Sequence, residues 1–149
     1  MIVALVEPEI PYNTGNLARL CVATDTPLIL AGRLGFTLDD RYLKRAGLDY
    51  WEYLKLYRYP VVEEFWEWVE NKNFAILTKR GEKLYTEIDF SMETILIFGS
   101  ETRGISEKII EKFRDRTYRI PMWGKVRSLN LSSSVAIVLY EGYRQLSYF

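Results

Sequence analysis

Side chains that could bind a ligand or take part in a reaction cluster between Gly99 and Gly104, directly after an apolar segment at residues 94–98. Within this cluster an acid, Glu101, and a base, Arg103, stand between the two glycines. Glycine lets the backbone approach a bound group closely, and ligands of open α/β sheets bind beyond the carboxyl ends of the strands. The cluster therefore predicts one wall of a ligand site.

A second group of polar residues opens the last predicted helix. A strand pattern at residues 117–120 leads through Pro121 and a loop to Ser128, Leu129 and Asn130. Serine and asparagine are good N-cap residues, and the first turn of a helix carries N–H groups that have no partner inside the helix. We expect this strand end and helix start to converge on the same ligand as the glycine segment.

Composition limits the chemistry that these residues can perform. The chain has 149 residues, no histidine and one cysteine, Cys21. These counts exclude Ser-His-Asp and Cys-His catalysis and an internal disulfide, and they argue against a zinc site. A lone cysteine is typical of a reducing cytoplasm, so we expect a cytoplasmic protein that holds no metal.

Charge and hydropathy limit the partners. The formal net charge is +0, which argues against a generic nucleic-acid coat but leaves room for a local basic patch. No run of 18 apolar residues occurs, so we expect no membrane span.

Strand and helix patterns alternate along the chain and predict an α/β fold, in which helices flank a mainly parallel sheet, within a single domain at residues 1–149. The predicted strands lie at residues 2–6, 27–31, 54–57, 74–78, 94–98 and 117–120, and the predicted helices at about 13–24, 39–46, 61–71, 107–114 and 130–147. The dinucleotide-binding pattern G-x-G-x-x-G is missing after the first strand. Any nucleotide-like cofactor is therefore expected to bind elsewhere.

Four blocks of sequence resemble the SPOUT superfamily, the α/β-knot RNA methyltransferases. Within it, they are most similar to the TrmL group, the tRNA 2′-O-methyltransferases that act on wobble nucleotide 34. The blocks are EPEIPYNTGNLARLC at 7–21, RAGLDYWEY at 45–53, FGSETRGI at 98–105, and RIPM at 119–122 with RSLNLSSSVAIVLYE at 127–141. The resemblance implies a C-terminal trefoil knot, which is an exception to the rule that chains do not thread themselves.

The resemblance also implies a reaction and its participants. We expect methyl transfer from S-adenosylmethionine to the ribose 2′-hydroxyl of tRNA nucleotide 34, by a homodimer that binds the anticodon loop. Two alternatives stay open, which are the same methylation at another tRNA or rRNA position and a non-catalytic RNA-binding knot module.

For catalysis the resemblance points to Arg19, which with Asn16 matches a family motif. Its implied role is to bind the phosphate of the target nucleotide and to promote loss of the 2′ proton. A guanidinium is an awkward base, so we expect phosphate clamping and alkoxide stabilisation instead. We expect Glu101 either to act near the sulfonium or to hold Arg103.

Ser128 and Asn130 are expected to cap the last helix and also to face the cofactor or ribose. For the cofactor, the resemblance implies backbone contacts from Ile76 or Leu77, Gly99, Ile120, and Ser128 or Leu129. Arg80 departs from the T-K-G pattern of the family, which leaves the register of that loop open.

RNA contacts are expected from basic and aromatic side chains. The basic candidates are Arg41, Lys44, Arg45, Arg103, Lys125 and Arg127, and the candidate stacking platforms are Tyr12, Trp123 and Tyr143. Each aromatic residue could instead pack in the core or at a dimer contact. The expected dimer interface is the last helix, with Val135, Val138, Leu139 and Gly142.

Overall fold

Seven strands of the described residues form one sheet. The computed structural model describes residues 1–39, 41, 43, 45 and 50–149. The strands are β1 (Ile2–Val6), β2 (Leu28–Ala31), β3 (Leu56–Tyr59), β4 (Phe74–Leu77), β5 (Lys83–Leu84), β6 (Ile95–Phe98) and β7 (Thr117–Arg119). Their order is β3-β2-β1-β6-β4-β7-β5, and every pairing is parallel. The predicted parallel α/β architecture is confirmed.

Four α-helices lie within the described part of the chain. They are α1 (Pro11–Ala23), α2 (Val62–Val69), α3 (Glu107–Lys112) and α4 (Leu131–Gln145). Short 3₁₀ turns occur at Trp51–Tyr53, Tyr85–Glu87 and Arg114–Arg116. None of the helices at the described positions is long and apolar enough to cross a membrane.

Alternating strand residues build two separate cores. Leu5 and its sheet neighbours on one face belong to a cluster that also contains buried residues of α1 and α4. Ala4 and its neighbours on the other face belong to a cluster that contains residues of α2 and α3. Because successive side chains of a strand point to opposite faces, the central strands β1, β2, β4 and β6 are apolar throughout and almost entirely buried on both sides, as parallel sheets require.

Two predicted element boundaries were wrong and one strand was missed, each for an identifiable reason. Helix α1 begins at Pro11 rather than at Asn13, because proline fits the first helical position, where its missing N–H is not needed. Strand β3 begins at Leu56, two residues later than predicted, because a 3₁₀ turn occupies residues 51–53. Strand β5 was missed, since two residues are too few to show a period.

Within the helix predicted over residues 39–46, residues 41, 43 and 45 are helical, while residues 40, 42, 44 and 46 lie outside the described residues. The candidate RNA contact Lys44 is among the latter. The other predicted helices and strands are present, with ends that differ by a few residues. The trefoil knot and the single-domain extent stay predictions.

The sheet order brings three strand ends together. Leu77 at the end of β4 pairs with Phe98 of β6 on one side and with Tyr118 of β7 on the other. Because the strands are parallel, the loops that follow β4, β6 and β7 all leave the sheet at the same end, where the carboxyl ends of the strands lie.

Two of these loops pass so close to neighbouring backbone that only glycine fits. A Cβ on Gly81 would lie 2.2 Å from the carbonyl carbon of Tyr118, and a Cβ on Gly99 would lie 2.3 Å from that of Gly104. The N–H of Gly81 donates to the Thr78 carbonyl at 2.9 Å, which closes a turn. Gly81 is therefore the glycine that this loop needs, and Arg80 lies within the turn before it.

We expect Gly81→Ala to lower the free energy of unfolding by about 1–3 kcal/mol, the usual cost of overpacking, because the added methyl group would collide with the Tyr118 backbone. Gly124→Ala is the matched control, since a Cβ there meets nothing within 4 Å. Urea unfolding of both variants measures the difference, and equal stabilities would contradict the close approach.

Candidate functional site

A pocket of about 620 Å³ lies at the carboxyl ends of β4, β6 and β7. Its walls come from residues 77–80, 98–105, 120, 122, 127–131 and 134, together with Ile10 and Asn13 at the start of α1. Pockets that hold small molecules have volumes of about 300–1,000 Å³. The three predicted loops therefore do meet, and they enclose a space suited to a small-molecule ligand.

The pocket gathers most of the residues that were predicted for it. Leu77, Gly99, Glu101, Ile120, Ser128, Leu129 and Asn130 all line it. Ile76 does not, because its fully buried side chain packs in the core beneath α2 and α3. Of the pair Ile76 and Leu77, the structure places Leu77 at the pocket.

Glu101 joins the pocket wall to the beginning of α1. Its carboxylate accepts hydrogen bonds from the backbone N–H groups of Glu9 at 2.7 Å and Ile10 at 3.0 Å, and from the Asn13 side-chain amide at 3.3 Å. A carboxylate is favourable at a helix N-terminus, where it meets free N–H donors and the positive end of the helix dipole. Glu101 thus holds the two residues that precede α1, a helix whose N-cap residue, Ile10, makes no side-chain cap hydrogen bond.

Asn13 extends this contact to the start of α4. Its side-chain oxygen accepts a hydrogen bond from the Asn130 amide at 3.0 Å, while its own amide donates to Glu101. Asn13 is 6% exposed, so both bonds are shielded from water. The sequence analysis placed Asn13 only at the start of the first predicted helix, where asparagine is a common cap, and missed this role. The proline two residues earlier was the available signal, because it marks the true helix start.

Asn130 caps α4, as predicted, whereas Ser128 does not. The Asn130 side-chain oxygen accepts from the backbone N–H groups of Ser132 at 2.9 Å and Ser133 at 3.3 Å. Ser128 lies two residues before this cap and is exposed at the pocket wall. Its hydroxyl has no hydrogen-bond partner among the described residues and is free to bind a ligand.

Arg103 pairs with Glu9 rather than with Glu101, so that part of the prediction was wrong. The Arg103 Nε lies 3.4 Å from a Glu9 carboxylate oxygen. The Thr102 hydroxyl donates to the same carboxylate at 2.7 Å. The hydrogen bond from Thr102, with further help from Ser100 and Arg103, lowers the pKa of Glu9 from its ordinary value. Glu9 therefore stays ionised and ties the glycine segment to the loop after β1.

Arg19 and Asn16 lie on α1 but do not line this pocket. Arg19 is six residues beyond Asn13, which is about 9 Å along the helix axis. Its exposed guanidinium stacks over the Tyr50 ring, with 5.2 Å between Cζ and the ring centroid. One chain therefore presents its predicted catalytic arginine to solvent, away from its own pocket.

The candidate RNA-stacking residues divide into two classes. Trp123 is 91% exposed and Tyr12 is 58% exposed, so both can stack on an unpaired base. Tyr143 is buried, and its hydroxyl hydrogen bonds with the Thr26 hydroxyl at 2.8 Å. The prediction of Tyr143 as a platform was wrong, because its ring packs in the core beneath α4.

The residues predicted for a dimer interface on α4 face inward. Val135, Val138, Leu139 and Gly142 are all buried against the sheet side of the same chain. A Cβ on Gly142 would lie 2.5 Å from the sulfur of Met1. The outward face of α4 instead carries Ile137 at 39% exposure and Tyr140 at 48%.

Cys21, the cysteine of the chain, is buried in the core and does not line the pocket. Burial raises the pKa of the Cys21 thiol to about 12, so it remains protonated and cannot act as a nucleophile at neutral pH. The described residues contain no cluster of histidine, cysteine or acidic side chains that could hold a metal ion. What the pocket offers is backbone and side-chain hydrogen bonding around an apolar floor.

Comparison with known sequences gives matches over nearly the whole chain. The model of the SpoU rRNA methylase family matches residues 1–140. A relative from Geobacillus stearothermophilus is 47% identical over 149 residues, covering 98% of this chain and 95% of its own. A relative from Methylovorus glucosotrophus, named tRNA (cytidine(34)-2'-O)-methyltransferase, is 44% identical over 148 residues, covering 96% and 94%.

Solved structures give the same picture. A structure described as giving insights into the 2-OH methylation of C/U34 on tRNA superimposes with a TM-score of 0.92 at 41% identity, covering 99% of this chain and 96% of that one. The SpoU methyltransferase AviRb from Streptomyces viridochromogenes, in complex with AdoMet, superimposes with a TM-score of 0.84 at 28% identity, covering 100% and 61%.

We expect Asn13→Ala to lower the free energy of unfolding by about 1–3 kcal/mol, because Glu101 and Asn130 each lose a shielded hydrogen-bond partner. Asn16→Ala, on the same helix, is the control and should change it by less than about 0.5 kcal/mol. Thermal and urea unfolding measure both values. Losses of equal size would show that the Asn13 bridge does not stabilise the fold.

Proposed function

Because this chain belongs to the SpoU rRNA methylase family, we propose that it transfers a methyl group from S-adenosylmethionine to the 2′-hydroxyl of nucleotide 34 of tRNA. The observation that carries this proposal is the pocket at the ends of β4, β6 and β7, in a chain that aligns end to end with relatives named for that reaction. The same reaction requires a ribose acceptor, a methyl donor and help with one proton.

The pocket has properties that suit S-adenosylmethionine. Leu77, Ile120 and Leu129 supply apolar surface for a base, while Gly99 lets the backbone come close. Gly104 borders open space, since a Cβ there would meet nothing within 4 Å. These residues and Ser128 would hold the cofactor, which supplies an electrophilic methyl group when bound.

Arg19 would act on the RNA rather than on the cofactor. The chain has no histidine, so the usual general base is missing. An arginine retains its charge at any physiological pH and binds phosphate through paired N–H groups. In this proposal Arg19, assisted by Asn16, clamps the phosphate of the target nucleotide and stabilises the developing alkoxide.

Glu101, Asn130 and Ser128 would have different tasks at the pocket wall. Glu101 is already bonded to three donors, so its main task is to hold the start of α1 beside the cofactor. Asn130 holds the start of α4. Ser128, whose hydroxyl is free of partners within the described residues, would be the one to contact the cofactor or ribose.

In a homodimer, Arg19 of one chain would lie at the pocket of the other chain. In one chain Arg19 points away from the pocket, so a partner's pocket is the site that it could serve. The outward face of α4, with Ile137 and Tyr140, supports an interface there, and α1 packs beside α4 in the same core. We propose that two chains associate through this layer.

The anticodon loop of tRNA is the proposed macromolecular substrate, and the cytoplasm is the proposed location. Trp123 lies almost fully exposed in the loop between β7 and α4, with Lys125 and Arg127 exposed close by. Cations that bind phosphates and an aromatic ring that stacks on an unpaired base are the combination that single-stranded RNA loops require.

The test combines methyl-labelled S-adenosylmethionine with tRNA that lacks 2′-O-methylation. We expect nuclease digestion and mass spectrometry to place the label on the ribose of nucleotide 34. Arg19→Ala should reduce the methylation rate by roughly 10²–10³-fold, as loss of one transition-state donor does, and should leave cofactor affinity unchanged.

Arg116→Ala is the matched arginine control, because Arg116 lies at the opposite, amino end of β7 and donates to the Lys72 carbonyl. Its methylation rate should equal that of the wild type. Label on another nucleotide would support the proposed reaction but would contradict nucleotide 34 as its target. Cofactor binding without any label on tRNA or rRNA would instead favour the RNA-binding module.

A further inference from the structure

Arg19 is an exposed side chain whose described neighbours include one aromatic ring. Its Cζ lies 5.2 Å from the centroid of the Tyr50 ring, within the range of a cation–π contact. Arg19 makes no hydrogen bond or ion pair with any residue that the structure describes. The Tyr50 ring is therefore the contact that orients the guanidinium.

Tyr50 is itself fixed by the local backbone. It immediately precedes the 3₁₀ turn Trp51–Tyr53, and its carbonyl accepts a hydrogen bond from the Tyr53 N–H at 3.0 Å. Leu54, which ends this turn, packs against the core that contains α1. The ring is thus attached to the same layer as the helix that carries Arg19, and it is only partly exposed.

Stacking suits a phosphate-binding arginine better than an ion pair would. A carboxylate partner would occupy the N–H edge of the guanidinium and neutralise its charge. A cation–π contact with an aromatic face places no carboxylate on the guanidinium, so its N–H donors remain available for two phosphate oxygens. The positive charge of the guanidinium is not neutralised either, so it can attract the phosphate.

We propose that Tyr50 is a positioning residue that holds Arg19 in the orientation needed to bind the phosphate of the target nucleotide. This inference rests on the proposed function, because it assumes that Arg19 acts on the RNA. It gives Tyr50, a residue of the RAGLDYWEY block, a physical role in the site. The ring face carries that role, and the Tyr50 hydroxyl has no part in it.

The test compares Tyr50→Phe with Tyr50→Leu at saturating S-adenosylmethionine. Phenylalanine keeps the ring face, so its kcat/KM for tRNA should match that of the wild type. Leucine keeps apolar volume but loses the ring, and kcat/KM should fall about two- to fivefold, the range expected for an exposed cation–π contact. Cofactor affinity should be the same in all three proteins.

Tyr53→Leu is the matched control, because Tyr53 lies on the same turn with 67% of its surface exposed and makes no contact with Arg19. Its kcat/KM should be unchanged. Nuclear magnetic resonance gives an independent readout, since the ring current of Tyr50 should shift the Arg19 side-chain protons upfield in wild type and Tyr50→Phe. That shift should disappear in Tyr50→Leu.

The Arg19→Ala background separates this inference from the function on which it rests. If Arg19→Ala alone leaves methylation unchanged, the proposed role of Arg19 fails and this inference fails with it. If Arg19→Ala abolishes methylation but Tyr50→Leu behaves like Tyr50→Phe, only the role of Tyr50 is overturned. A further loss on adding Tyr50→Leu to Arg19→Ala would show that Tyr50 acts on something other than Arg19, which also overturns it.

Discussion

The site depends on the hydrogen bonds that the Glu101 carboxylate accepts. This carboxylate comes from the segment that follows β6, and it binds the N–H groups at the start of α1, more than ninety positions earlier in the chain. The same carboxylate reaches Asn13, and through Asn13 the cap of α4. Two helices and one strand end therefore share a single hydrogen-bonded junction.

The negative charge of the Glu101 carboxylate is stabilised by the groups around it. The start of a helix carries unpaired donors and a partial positive charge, so the carboxylate needs no cation beside it. Arg103 is thereby left to pair with Glu9, and it remains mostly exposed at the pocket mouth. The acid and base that stand two residues apart in the sequence thus have separate partners. Short spacing along a loop is a poor guide to ion pairing.

Sequence reasoning located the pocket because parallel strands and their following loops are strongly patterned. Leu77 ends a buried apolar run and Gly99 directly follows another, and such runs can be recognised from composition alone. The predictions were wrong where one residue type is compatible with two different structural roles. Asn13 looks like a helix cap until Pro11 is taken as the first helical residue. Tyr143 is as aromatic as Trp123, and only tertiary packing shows that one is in the core and the other in solvent.

The junction at Glu101 also has a consequence for synthesis of the chain. Its partners are Glu9, Ile10 and Asn13, and Asn13 in turn needs Asn130, 117 positions further along. Contacts of such long separation form slowly, because loop closure precedes any gain from them. During translation the first strands and α1 emerge long before the residues that complete their pocket. A nascent chain therefore completes its pocket only after the last helix has left the ribosome, and premature termination before α4 yields a chain that lacks the α4 wall of the pocket.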